Sequence, residues 1–191
     1  FVSKNYKIAI VNSSTFGVYF PDLIQRLKKI GDIERIEVDP NINGKNLAKK
    51  LKGFTFVISS VTPTFSEEFF RYNKDVKLIA RHGIGYNNVD IKAATENEVM
   101  VTRVYGVHER DAVAEIAVSL MLICLRGIIP AYQAVLQNKW HERKNFVGKE
   151  LSKITVGIIG YGNIGSRVGE IVKEGFKSEV IAYDPYIADK V

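Results

Sequence analysis

The feature that most constrains this chain is the run Gly160-Tyr161-Gly162-Asn163-Ile164-Gly165, set directly behind the apolar stretch of residues 154–159. A Gly-x-Gly-x-x-Gly pattern alone is weak, because glycine-rich turns are common. Here a strand candidate precedes it and residues 166–174 have helical character. A second strand candidate, residues 179–183, ends in Asp184, nineteen residues past the last glycine. That order is the full fingerprint of a dinucleotide-binding βαβ unit. Gly160 permits the tight turn, Gly162 lets the backbone approach a pyrophosphate, and Gly165 lets the helix pack closely on the strand. The amides of Asn163 and Ile164, at the positive end of the helix dipole, then face the phosphates. Asp184, followed by Pro185, can accept hydrogen bonds from ribose hydroxyls and would repel a 2′-phosphate, so the expected cofactor is NAD. The competing reading is a glycine turn with no ligand.

Upstream, short Val- and Ile-rich runs alternate with segments of helical period, the pattern of a parallel α/β sheet. Strands are expected at residues 7–11, 33–38, 54–59, 76–80 and 99–104. Leu23, Ile24, Leu27 and Ile30 form one helical stripe, with Gly31 as its stop, and Leu47 and Leu51 form another, closed by Gly53. Thr64 with Glu67 reads as a capping box for a helix carrying Phe69 and Phe70. The predicted architecture is α/β, a flavodoxin-like parallel-sheet domain over residues 1–104 followed by the beginning of a Rossmann domain over residues 151–191. Residues 105–150 form a long helix and crossing between them. That helix is apolar nearly all round at Val113, Ile116, Ala117, Leu120, Leu122 and Ile123, so it should be sandwiched between layers or subunits, and Gly127 and Pro130 should bend it.

A second glycine loop, Arg81-His82-Gly83-Ile84-Gly85-Tyr86-Asn87-Asn88, sits at the end of an expected strand, where open parallel sheets place ligands. Glycines on both sides of Ile84 would let backbone amides turn toward a carboxylate, with Arg81 supplying charge. From the residues alone, a plain strand-to-helix turn reads equally well.

Composition narrows the classes. The formal charge is +6, but the lysines come in scattered pairs on polar helix faces, which reads as solvated surface rather than a nucleic-acid footprint. Most of the aromatics fall within expected strands and helix stripes, as core. Cys124 is the single cysteine, so no disulfide framework is built and a reducing, cytoplasmic setting is expected. Residues 1–7 carry no leader pattern, and the longest apolar stretch, residues 112–125, is interrupted by Glu115 and too short to cross a bilayer, so no membrane partner is expected.

The ordered set of Arg81 through Asp90, Ala112-Val113-Ala114-Glu115, Trp140, Val156 through Gly165, and Ala182-Tyr183-Asp184-Pro185 resembles the D-isomer-specific 2-hydroxyacid dehydrogenase family. The resemblance covers nearly the whole chain. It implies an NAD-dependent oxidoreductase that interconverts a 2-oxoacid and a D-2-hydroxyacid. Gly83, Ile84 and Gly85 would hold the substrate carboxylate, and a homodimer would be built around the long helix. The family's catalytic arginine, glutamate and histidine are expected beyond residue 191, so this stretch alone should be inactive. His82, His108 and His141 do not fill their place, although His82 can line the site beside the glycine loop. Several positions depart from the family pattern: Asn87 for aspartate, Arg103 and Tyr105 for asparagine and proline, and Ile116 where histidine is frequent. Ser59 stands where phosphoglycerate dehydrogenases carry a phosphate-binding arginine, which favours a small, uncharged 2-oxoacid. The alternative is an NAD-sensing, corepressor-like binding protein of the same fold.

Overall fold

The structure is a computed structural model that describes residues 6–187. The leader pattern sought at the N-terminus falls largely on residues 1–5, outside the described residues. Contacts divide the chain into unit 1, Phe1–Tyr105, and unit 2, Gly106–Val191.

Unit 1 is a five-stranded parallel sheet. Its strands are β1 (Tyr6–Val11), β2 (Gly31–Ile36), β3 (Phe56–Ser59), β4 (Leu78–Arg81) and β5 (Met100–Arg103), in the order β2-β1-β3-β4-β5. Helices α1 (Pro21–Lys28), α2 (Gly44–Lys50), α3 (Glu67–Tyr72) and α4 (Ile91–Glu96) connect them. The period of two along β1 builds two cores. Ala9 and Val11 face Leu47, Leu51, Phe65, Phe69, Phe70, Ala93 and Ala94, while Ile8 and Ile10 face Phe16, Ile24 and Leu27 on the other side. Phe65, Phe69 and Phe70 are fully buried and meet edge to face, with centroids about 5 Å apart. Each contributes on the order of 2–3 kcal/mol by burial.

Caps set the helix starts. The Asn43 side chain accepts from the Asn46 amide at 2.9 Å and the Asp90 side chain from the Ala93 amide at 2.9 Å. Replacing Asn43 with alanine orphans one amide of α2. It should lower the stability of unit 1 by about 1 kcal/mol, read as a shift in denaturant midpoint with an unchanged slope.

Three sequence expectations change. Gly31 does not stop a helix: α1 ends at Lys28, and Gly31 opens β2 opposite Tyr6. A Cβ there would lie 1.9 Å from the Tyr6 carbonyl oxygen, so the glycine answers to strand contact. Thr64 makes no capping box. Phe65 is held extended by the bond from its amide to Asn88 O (2.7 Å) and by the bond from the Asp90 amide to Phe65 O (2.9 Å), and the helix starts after Ser66 instead. Aromatic residues are not mostly core either. Among the described residues the buried ones are Phe54, Phe65, Phe69 and Phe70, whereas Tyr19, Tyr72, Tyr105, Tyr132, Trp140, Tyr183 and Tyr186 are exposed.

Unit 2 contains helices α5 (Arg110–Arg126) and α6 (Ile128–Leu136), then β6 (Thr155–Ile159), α7 (Asn163–Glu170) and β7 (Glu179–Tyr183), with β6 and β7 paired in parallel. Gly127, at φ +57°, separates α5 from α6 with a 62° bend. One side of α5, Ala114 and Val118, packs with Leu151, Val156, Val168 and Val172. The other side leaves Ile116 62% and Leu120 54% exposed, so within the chain this helix is covered on one face rather than all round. No single helix among the described residues is long and apolar enough to cross a membrane.

Candidate functional site

In unit 2 the turn after β6 is built as the glycine spacing requires. Gly160 sits at φ +88°, a region that disfavours side chains, and its amide bonds Tyr183 O at 2.8 Å. A Cβ on Gly165 would lie 2.0 Å from Gly160 O, which fixes the close approach of α7 to the strand end. Around Gly162 a Cβ would meet nothing within 4 Å, so space for a ligand stays open at the N-terminus of α7. The first amides of that helix, Asn163 and Ile164 among them, have no intrahelical acceptor by construction.

Asp184, half-buried at the end of β7, closes this loop. Its Oδ2 accepts from the Tyr161 amide at 2.7 Å and its Oδ1 from the Tyr186 amide at 2.9 Å. Each oxygen keeps a further lone pair. Sequence reasoning assigned Asp184 to a ribose; in the structure it ties the glycine turn to the end of β7. The Tyr161 ring lies against Gly169, where a Cβ would be 2.7 Å from its hydroxyl, so Tyr161 shapes the turn from behind. Pro185 is exposed. One turn into α7, Arg167 pairs with Asp111 (2.7 Å) and Glu170 (2.8 Å). Hydrogen bonds from Glu170 first and Asp111 second raise its pKa above the ordinary arginine value, so its charge is held within unit 2.

In unit 1 the second glycine loop follows β4. Gly83 has φ +146°, and its carbonyl accepts from the Val104 amide at 3.1 Å. Arg81 is 6% exposed: its guanidinium lies beneath Gly83 and Nη1 donates to His82 O, so it supports the loop from inside. Arg103, noted in the sequence only as a departure from a pattern, is the exposed cation here. It is in register with Arg81 across β4 and β5, donates to Ile84 O at 3.2 Å and lies over the Tyr86 ring. Gly85 has open space around it. The Asn88 side chain donates to Ser60 O (3.2 Å) and Pro63 O (3.0 Å), which fixes the loop after β3.

One contact had no sequence signal. Ser13 Oγ and His82 Nδ1 are 2.9 Å apart, joining the ends of β1 and β4, and the Phe16 ring meets the His82 ring edge to face. No group of three or more metal-ligating side chains occurs among the described residues.

Residues 8–182 match the model of the D-isomer specific 2-hydroxyacid dehydrogenase catalytic domain family. D-3-phosphoglycerate dehydrogenase of Methanocaldococcus jannaschii is 33% identical over 174 residues, covering 89% of this chain and 31% of its own length. Hydroxypyruvate reductase of Thermotoga maritima is 40% identical over 129 residues, covering 68% of this chain and 41% of its own. Among solved structures, the apo form of Escherichia coli D-lactate dehydrogenase superimposes with a TM-score of 0.75 at 28% identity, over 96% of this chain and 56% of that one. The chain thus spans less than half the length of these two curated relatives. With the match running unbroken from β1 into β7, through both glycine loops, this chain belongs to the D-isomer specific 2-hydroxyacid dehydrogenase family.

Proposed function

We propose that this chain is the acid-binding part and the opening of the cofactor domain of an NAD-dependent dehydrogenase that interconverts a 2-oxoacid and its D-2-hydroxyacid. The observation that carries the reading is the pair of built glycine turns, each at the C-terminal end of a parallel strand, on a chain of this family. Residues 1–104 would form the substrate side, 105–150 the interdomain and dimer helix, and 151–191 the start of the Rossmann domain.

The residues present fit a dinucleotide. Open space at Gly162 and the close contact at Gly165 leave the α7 N-terminus accessible to a diphosphate, which the Asn163 and Ile164 amides would bind. Asp184 would take the ribose hydroxyls and, by like-charge repulsion, favour NAD over its 2′-phosphorylated form. When bound, the nicotinamide supplies or accepts the hydride. The chain's own contribution is orientation: amides around Gly83, Ile84 and Gly85 would hold the substrate carboxylate, with Arg103 as a nearby cation and Arg81 as the support below. Ser59, fully buried at the end of β3, brings no charge to that end of the sheet, which fits a small, uncharged side chain on the acid. The exposed Ile116 and Leu120 on α5 fit a homodimer.

In the full-length protein, NADH oxidation should depend on added 2-oxoacid, and the reverse reaction should consume D- but not L-2-hydroxyacids. Absence of turnover across a broad panel of 2-oxoacids, with NADH and NADPH both tried, would sink this reading.

A further inference from the structure

In the sheet order β2-β1-β3-β4-β5, strands β1 and β4 are not neighbours, since β3 lies between them. The Ser13–His82 hydrogen bond at 2.9 Å therefore passes across the C-terminal end of β3, the end at which open parallel sheets bind ligands. The bridge is braced from several sides. The His82 amide bonds Ser59 O at 2.8 Å, and Phe16 stands edge-on to the imidazole at 5.3 Å. Arg35 of β2 donates to Ser13 O and Phe16 O and so clamps the turn that presents both residues. The imidazole itself is exposed, one residue before the glycine loop.

The proton on this pair can be placed. Ser13 is 6% exposed, and its hydroxyl has no other hydrogen-bond partner among the described residues. A buried hydroxyl that only accepts leaves its proton unsatisfied, so Ser13 donates to Nδ1. The imidazole proton then sits on Nε2, which makes no hydrogen bond within the described residues. His82 presents an N–H donor beside the carboxylate loop.

We infer that Ser13 and His82 form a side-chain selector, in which the Nε2–H of His82 donates to an oxygen on the third carbon of the 2-oxoacid. This rests on the proposed function and deepens it. The favoured class is 2-oxoacids with a hydroxyl on that carbon, over aliphatic ones. His82 touches substrate, and Ser13 is a positioning residue that fixes the tautomer.

The test uses two substrates of nearly equal size, 3-hydroxy-2-oxopropanoate and 2-oxobutanoate, which exchange a hydroxyl for a methyl. The full-length enzyme should prefer the hydroxylated acid in kcat/KM by about five- to tenfold, the worth of one partly solvated hydrogen bond. His82→Ala should abolish the preference, the hydroxylated acid losing about five- to tenfold more in kcat/KM than the aliphatic one. His82→Gln, which retains an N–H donor, should restore part of it. Ser13→Ala should change the imidazole 15N shifts to a mixture of tautomers and reduce the preference with it, and a changed tautomer with an unchanged preference would overturn the positioning role. Equal losses on both substrates in His82→Ala, or a wild type indifferent to the hydroxyl, would overturn the selector while leaving the dehydrogenase reading intact. Inactivity of the wild type toward every 2-oxoacid would overturn both.

Discussion

Gly165→Ala is expected to unfold the glycine turn after β6 and, on the proposed function, to abolish cofactor binding there. The added methyl carbon would lie 2.0 Å from the Gly160 carbonyl oxygen and 3.2 Å from Ile158 Cγ2. The first of these is main chain, held by the bond between the Gly160 amide and Tyr183 O, so it cannot swing aside as a flexible side chain would. Relief requires α7 to move off β6, which opens the contact of Val168 and Val172 with Val156. Overpacking of this kind costs about 3 kcal/mol. For a unit of this size that is a fall of roughly 10–20 °C in melting temperature, with amide exchange accelerated in β6, α7 and β7. Gly162→Ala is the matched control. Gly162 already has φ −75°, and its Cβ would meet nothing within 4 Å, so folding should be unchanged. The methyl would instead occupy the space a diphosphate needs, and NADH should bind roughly 10- to 100-fold more weakly, the loss of about one charge-assisted hydrogen bond. If Gly165→Ala melted with the wild type, or Gly162→Ala bound NADH as the wild type does, the division of labour between the two glycines would be wrong.

These turns were readable because glycine patterns report backbone requirements directly. The sequence placed a strand at residues 179–183, and β7 is Glu179–Tyr183, because flanking polar residues bracket an apolar run with no competing helical period. Where two local signals overlapped, the sequence misled. Ile30 continues the stripe of Leu23 and Leu27, so Gly31 looked like a helix stop, but pairing with Tyr6 draws it into β2. Thr64 and Glu67 have the spacing of a cap, but a bridge from Phe65 to Val89 keeps the chain extended there. Both errors are tertiary contacts overriding local preference. The composition of α5 showed an apolar helix without showing which face its own unit covers. In the loop after β4, sequence could not tell which arginine goes inside: β-sheet register puts Arg81 and Arg103 side by side, and only the packing under Gly83 decides between them. The Ser13–His82 bond joins residues 69 positions apart, just past the ends of two strands that do not touch, so no pattern in the chain announces it.

Substitutions at Asp184 should change cofactor choice and loop geometry together, and the two effects can be separated. Both carboxylate oxygens accept main-chain amides, Tyr161 N at 2.7 Å and Tyr186 N at 2.9 Å. Asparagine is therefore not a conservative replacement, because its NH2 group would have to face one of those two N–H donors. Asp184→Asn should disturb the glycine turn and weaken NADH and NADPH binding alike. Asp184→Ser, shorter and neutral, frees the amides to water at this half-buried site and removes the negative charge. Two like charges at contact distance repel by a few kcal/mol at an effective dielectric near 20, so its main effect should be on a cofactor carrying a 2′-phosphate. On the proposed NAD reading, the preference for NADH over NADPH is then expected to narrow by about 100-fold, part of it from weaker NADH binding as the ribose hydroxyls lose their acceptor. Raising the salt concentration should narrow the wild-type preference in the same direction, since screening acts on the repulsion and not on neutral ribose contacts. Steady-state kcat/KM with each cofactor in the full-length enzyme gives the ratio. A ratio unmoved by Asp184→Ser would mean that Asp184 serves the loop alone and that cofactor choice lies with other residues.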